Sequence, residues 1–192
     1  MGSPKLIIRT TPRTGSNLLC HSLATHPDVR YAGEYYNNDI SRIYPEYLNN
    51  RISGNWNLTK TLYLEPIPPK LFSSTTVLPK YSPSVYSEPI PYTPVTVFLY
   101  RENISEQHAS YLKACQTGEW IAGCFNTPEI PIKNFIELVQ QTNTKLINIC
   151  SYHISYEKLI SYWDESITKI LDMMKWKQQS LSQATQRVNI KI

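Results

Sequence analysis

Residues 11–19, TPRTGSNLL, place an arginine, a glycine and several small polar residues between a β-type apolar run and a helix-type run. A helix that opens after a strand and a glycine-containing turn presents unpaired backbone N–H groups to an anion. Polar side chains in the turn add donors, and the arginine adds a permanent positive charge of forked geometry. The order of residues predicts a phosphate-binding loop, although it also suits an ordinary connection capped by Ser16. The residues predicted to bind the phosphate are Arg13, Thr14, Gly15, Ser16 and Asn17.

A second candidate junction is FLYRENISEQHAS, residues 98–110. Arg101 ends a β-type run, and Ser110 lies about two turns into the helix-type run that follows. A guanidinium and a hydroxyl on one helical approach suit a second phosphate, whereas an arginine at a strand end is by itself more often a surface residue. The two junctions together predict a ligand with two separated phosphate groups.

The elements that must position these residues alternate between strand and helix patterns, which predicts an α/β fold. We expect a single domain over residues 1–192, with a P-loop-like three-layer fold in which helices flank a central parallel sheet. Ligands of such sheets bind beyond the carboxyl ends of the strands. A Pro- and Tyr-rich excursion at about 63–94 holds eight of the 14 prolines and predicts a functional loop. The predicted strands are 5–11, 95–101 and 145–154, and the predicted helices are 16–26, 102–116, 130–142 and 156–174, the last with a break near Trp163.

Composition excludes several classes of function. The net charge of +4 is too small and too dispersed to indicate nucleic acid. The four cysteines are far apart and form no CxxC pair, so we expect no metal site. No apolar run resembles a signal peptide or approaches the ~20 residues of a membrane span. We therefore expect a cytoplasmic protein without a membrane span.

Four segments carry a resemblance to one enzyme family. TPRTGSNLL resembles the 5′-phosphosulfate loop of sulfotransferases that use 3′-phosphoadenosine 5′-phosphosulfate (PAPS), and YRENISEQHASYL (100–112) resembles their 3′-phosphate motif. ISYEKLI (154–160) is similar to their YEDL segment. HPDVRYAGEYY (26–36) resembles a segment of the tyrosylprotein and trehalose-type sulfotransferases. The four segments follow the family's order along the chain.

The resemblance implies a PAPS-dependent sulfotransferase that moves a sulfuryl group to a hydroxyl or amine and releases the product PAP, without a metal. It implies that Arg13 contacts the oxygen bridging phosphate and sulfate, and that Arg101 and Ser110 hold the 3′-phosphate. By the same resemblance, Glu34 is the general base and Tyr156 stacks on adenine. Asn17 departs from the family's Thr or Ser. The C-terminal RKG segment is missing, with Arg187 as a loose replacement.

Other interpretations of the same residues stay open. His108 and His153 are rival bases, and Lys60 or Glu65 of NLTKTLYLEP (57–66) face the acceptor if that segment is the family's central strand. A P-loop kinase or NTPase shares the strand–loop–helix pattern but needs a Gly-Lys-Ser/Thr sequence. A catalytically degenerate, sulfotransferase-like binding protein is the third possibility. The acceptor is a glycan, a small molecule or a tyrosine, and the sequence does not choose among them.

Overall fold

The computed structural model describes residues 5–34, 57–62, 94–117, 129–181 and 183. Its strands are β1 Leu6–Thr10, β2 Tyr31–Glu34, β3 Leu58–Leu62, β4 Val95–Tyr100 and β5 Tyr152–Ser155. Its helices are α1 Ser16–Ala24, α2 Ile104–Thr117, α3 Ile132–Ile149, α4 Tyr156–Ser161 and α5 Trp163–Met174. The strands form one parallel sheet in the order β2-β3-β1-β4-β5. The predicted α/β fold with a parallel central sheet flanked by helices is confirmed.

The sheet is buried on both faces, as a parallel sheet with near-continuous apolar strands should be. Alternate residues of β1, Leu6 and Ile8, share one apolar cluster with Leu23 of α1 and Ile170 of α5. Ile7, which lies between them and projects to the opposite face, is fully buried as well. Burial on both faces holds the strand ends, and the loops that follow them, in a fixed arrangement.

The strand order defines where a ligand should bind. From β1 the chain passes to β2 and β3 on one side, whereas β4 pairs with the other side of β1. Thr10 at the end of β1 lies in register with Leu99 near the end of β4. In an open α/β sheet, ligands bind at this reversal of strand order, outside the carboxyl ends of the strands. Both predicted phosphate junctions begin at this point.

One predicted strand is partly wrong. The sequence predicts a strand over 145–154, but α3 continues to Ile149, and the strand spans only Tyr152–Ser155. Leu146 is buried, and it continues the buried stripe of α3 at helical spacing. That packing outweighs the β-type composition of the segment. The buried stripe consists of Phe135, Val139, Thr142 and Leu146.

The predicted helix 130–142 begins close to the observed start but runs on to Ile149, and the remaining predicted elements agree with the structure within a few residues. The expected break in the last helical region falls at Tyr162, between α4 and α5, next to Trp163. The excursion at 63–94 lies outside the described residues, except for Pro94. Within the described part of the chain, no helix is long and apolar enough to cross a bilayer.

Candidate functional site

The loop between β1 and α1 has a backbone that presents the helix N-terminus. Gly15 is the N-cap of α1 with φ 80°, and as a glycine it has no side chain that could cap the helix. Arg13 also has a positive φ, 65°. The alternative in which Ser16 caps the helix is wrong, because Ser16 is already the first helical residue. The first N–H groups of α1 therefore face the end of the sheet as donors for an anion.

Gly15 is required for a second reason, which only the tertiary structure shows. A Cβ atom at this position would lie 2.6 Å from Cε2 of Tyr156, far inside van der Waals contact. Tyr156 is the first residue of α4, which directly follows β5. The YEKL segment and the phosphate loop therefore meet in space.

Three buried threonines, Thr10, Thr11 and Thr14, take part in hydrogen bonds within the loop and to β4. The Thr10 hydroxyl donates to the Leu99 carbonyl oxygen at 2.8 Å, which links β1 to β4. The Thr14 hydroxyl donates to the Thr11 carbonyl oxygen at 3.2 Å and also contacts the Thr10 hydroxyl. All three side chains are fully buried. The hydroxyl of Thr14 is thus engaged within the loop, so its backbone amide is the group it offers to a ligand.

Gln107 connects the second junction to the first by hydrogen bonds. It lies on α2 and is fully buried. Its Nε2 donates to the Pro12 carbonyl oxygen at 2.6 Å and to the Thr11 hydroxyl at 3.0 Å. Sequence reasoning missed this residue, because a glutamine in a helix with a mixed pattern is typical of a surface position.

Arg13 and Ser110 are brought together by the same packing. The Nε of Arg13 donates to the Ser110 hydroxyl oxygen at 3.0 Å, across 97 residues of sequence. The hydrogen bond joins the serine of the second junction to the arginine of the first. The predicted role of Ser110, together with Arg101, in holding the 3′-phosphate stays a prediction.

Lys60 is the most deeply placed cation of the site. It lies in the middle of β3, is 1% exposed, and its Nζ donates to Oδ1 of Asn17 at 2.5 Å. Burial and the nearby charge of Lys60 lower the pKa of His21 to about 4, so this imidazole is neutral at pH 7. Asn17, which replaces the family's Thr or Ser, accepts the Lys60 hydrogen bond with its amide oxygen. Its NH₂ group is a hydrogen-bond donor and suits a phosphate.

Arg101 has different surroundings. Its Nη2 donates to Oε2 of Glu106 at 2.8 Å, and its Nε lies 3.8 Å from Oε1 of Glu157. The guanidinium lies over the Tyr156 ring, 5.0 Å from the ring centre. Tyr156 therefore contacts both the phosphate loop and the arginine of the second junction. Its predicted stacking on adenine stays a prediction.

The candidate bases are separated by the structure. Glu34 is the last residue of β2, and its Cα lies in register with that of Lys60. His108 is buried against Phe135, and its Nε2 lies 2.7 Å from the Ile130 carbonyl oxygen, as expected for a core residue. His153 is exposed and its Nε2 lies 3.1 Å from the Cys150 carbonyl oxygen. Two further candidates, Glu65 and Arg187, lie outside the described residues.

Comparisons with known proteins bear on the fold. No protein-family model matches the chain, and no curated protein matches it either. Among solved structures, the mouse sulfotransferase SULT7A1 complexed with PAP matches 92% of this chain, with a TM-score of 0.55 and 12% identity. The chain has the fold of a sulfotransferase. It spans 60% of the length of that neighbour. The predicted kinship with the tyrosylprotein and trehalose-type subgroup stays a prediction.

Proposed function

We propose that the protein is a sulfotransferase that moves a sulfuryl group from PAPS to a hydroxyl or amine of an acceptor and releases PAP. One observation carries the proposal. The opening of α1 is flanked by Arg13 and by the buried Lys60–Asn17 pair, in a fold shared with a sulfotransferase that was solved with PAP. Anion-binding amides and two cations at one helix opening are what a phosphosulfate requires.

The residues around the site fit a ligand with two phosphate groups. The amides of the loop, together with Arg13 and the NH₂ group of Asn17, would hold the phosphosulfate. Arg101, which directly follows the neighbouring strand β4, would hold the 3′-phosphate. Gly15 keeps the loop free of a side chain where Tyr156 approaches, so the ring can lie beside a bound nucleotide without displacing the loop.

PAPS supplies the sulfuryl group, and the chain supplies position and charge. Negative charge grows on the oxygen that bridges phosphorus and sulfur as the acceptor attacks. We assign its neutralisation to Arg13 and Lys60, because fixed cations in a buried site stabilise such charge without reorganisation. We assign acceptance of the acceptor's proton to Glu34, which ends β2 in register with Lys60. The contacts of His108 and His153 support this choice over either histidine.

The alternative of a P-loop kinase or NTPase is not favoured. In TPRTGSN the glycine is followed by serine and asparagine, so the loop has no lysine for a terminal phosphate. A degenerate, non-catalytic relative with the same fold would bind PAP without transferring sulfate. Measured transfer therefore decides between that alternative and an enzyme.

The test measures binding and transfer separately. Calorimetry should show PAP binding without added metal and much weaker binding of ATP, which lacks a 3′-phosphate. Incubation with ³⁵S-labelled PAPS and a panel of glycans, small hydroxyl compounds and tyrosine peptides should label one acceptor class, which mass spectrometry identifies. Equal affinity for ATP and PAP, or a strict Mg²⁺ requirement, contradicts the proposal. PAP binding without transfer to any acceptor favours the degenerate relative.

A further inference from the structure

Arg101 is already paired with a carboxylate of the protein, that of Glu106. Its Nη2 donates to Oε2 of Glu106 at 2.8 Å, and the Tyr156 ring supports the guanidinium. The side chain of Arg101 is only 17% exposed, whereas that of Glu106 is 61% exposed. A cation held in place by its neighbours is thus paired with a carboxylate that can turn out into solvent.

The second acid beside Arg101 is held differently. The carboxylate of Glu157 accepts hydrogen bonds from the amides of Glu102 at 3.0 Å and Asn103 at 3.3 Å. At 3.8 Å from Oε1 of Glu157, the Nε of Arg101 is buried and has no hydrogen-bond partner among the described residues. The Nε side of the guanidinium therefore faces the protein interior and Glu157, which stays bound to the backbone, whereas Nη2 is the donor that Glu106 occupies.

We propose that Glu106 is a built-in competitor of the nucleotide 3′-phosphate at Arg101, and that it sets how strongly the protein selects nucleotides carrying that phosphate. This inference rests on the proposed function. A phosphate and the Glu106 carboxylate seek the same guanidinium, so the carboxylate must leave when the nucleotide binds. Breaking a largely exposed ion pair costs little. The displaced carboxylate remains on the first turn of α2, where its charge opposes a phosphate dianion.

The test compares two nucleotides that differ only in the 3′-phosphate, PAP and AMP, in Glu106→Gln and the wild type. Glutamine keeps the length and helix-start preference of the side chain and removes its charge. By calorimetry at fixed ionic strength, the variant should bind PAP about 1.5- to fivefold more tightly, the range expected when one exposed charge interaction is relieved. AMP affinity should stay unchanged within error.

Two controls separate this effect from a general change of charge. Glu165→Gln makes the same change on α5, near Tyr152 at the amino end of β5, and should leave the PAP-to-AMP affinity ratio unchanged. The double variant Arg101→Ala/Glu106→Gln should show no gain over Arg101→Ala, because the contested cation is gone.

Each other outcome overturns the inference. Unchanged or weaker PAP binding in Glu106→Gln contradicts it, as does an equal gain for AMP or a gain that persists without Arg101. If the nucleotides bind but their affinity ratio does not move, only the role of Glu106 is wrong. If neither nucleotide binds to the wild type or to any variant, the proposed function fails, and the inference fails with it.

Discussion

The two strand-to-helix junctions of the sheet place their arginines in different surroundings. At the β1–α1 junction, Arg13 donates to the hydroxyl of Ser110, and Lys60 donates to the amide oxygen of Asn17. At the β4–α2 junction, Arg101 instead meets the carboxylates of Glu106 and Glu157. The first junction is built on buried threonines, whereas the second opens toward solvent.

The different surroundings of the two junctions suit two different tasks, catalysis and nucleotide selection. Burial, and then the nearby charge of Lys60, lower the pKa of His21 to about 4, so the positive charge of the first junction acts on a neighbouring side chain. An arginine balanced by carboxylates contributes less to net attraction and more to discrimination among anions. We therefore expect the first junction to govern turnover and the second to govern nucleotide selection.

The largest expected effect is a loss of turnover when Glu34, at the end of β2, is replaced. Glu34→Gln keeps the size of the side chain but removes its ability to accept a proton. Turnover should fall by about 10²–10⁴, the usual contribution of a positioned general base, while PAPS affinity stays nearly constant. Labelled-sulfate transfer and calorimetry measure the two quantities. Near-normal turnover in Glu34→Gln, with a large loss in a folded His108→Ala or His153→Ala variant, would move the role to that histidine.

A matched pair of substitutions compares the junctions directly. Arg13→Ala should lower kcat by about 10²–10³, because it removes charge stabilisation at the bridging oxygen. Arg101→Ala should act mainly on affinity, weakening PAP by about tenfold, the low end for a charged hydrogen bond because Glu106 already offsets this cation. AMP should be nearly unaffected by the second change. If both variants lose kcat and affinity in the same proportion, the two junctions do not divide their tasks.

The smallest effect concerns pH and tests the field of the first junction. The pKa of His21 is lowered from 6.5 to about 4 by burial and then by Lys60. Below pH 6.5 the unfolded chain binds a proton that the folded chain refuses, so the free energy of unfolding should fall as pH drops from about 6.5 to about 4. The contribution is about 1–3 kcal/mol after allowance for partial exposure.

Urea unfolding at pH 7.5 and 4.5 measures this loss, and His21→Gln should reduce it. His153→Gln, at an exposed position, should not. In Lys60→Met, NMR titration should show the pKa of His21 closer to its ordinary value, although burial still keeps it low. If His21 of the wild type titrates near pH 6.5, the charge of Lys60 does not act on it, and this difference between the two junctions is wrong.

The sequence by itself determined the class of the fold, and it predicted where along the chain the site lies. Apolar runs of strand length followed by helical patterns predicted β1, α1, β4 and α2 within a few residues, because these segments bury their apolar residues in ways that their local periodicity already shows. The loop 11–19 and the arginine after β4 were also visible, since strand–turn–helix order places such residues at the carboxyl edge of a parallel sheet.

Only the tertiary structure decided which of these residues meet. The contacts of Arg13 with Ser110 and of Lys60 with Asn17 join positions 97 and 43 residues apart, and no local pattern encodes such a distance. The same holds for Gln107, whose composition suits a surface helix but whose side chain is buried against the loop. It also holds for the end of α3, where the buried contact of Leu146 overrode β-type composition. Long-range packing sets these outcomes, because a side chain's partners depend on strand order and helix placement rather than on its neighbours in sequence.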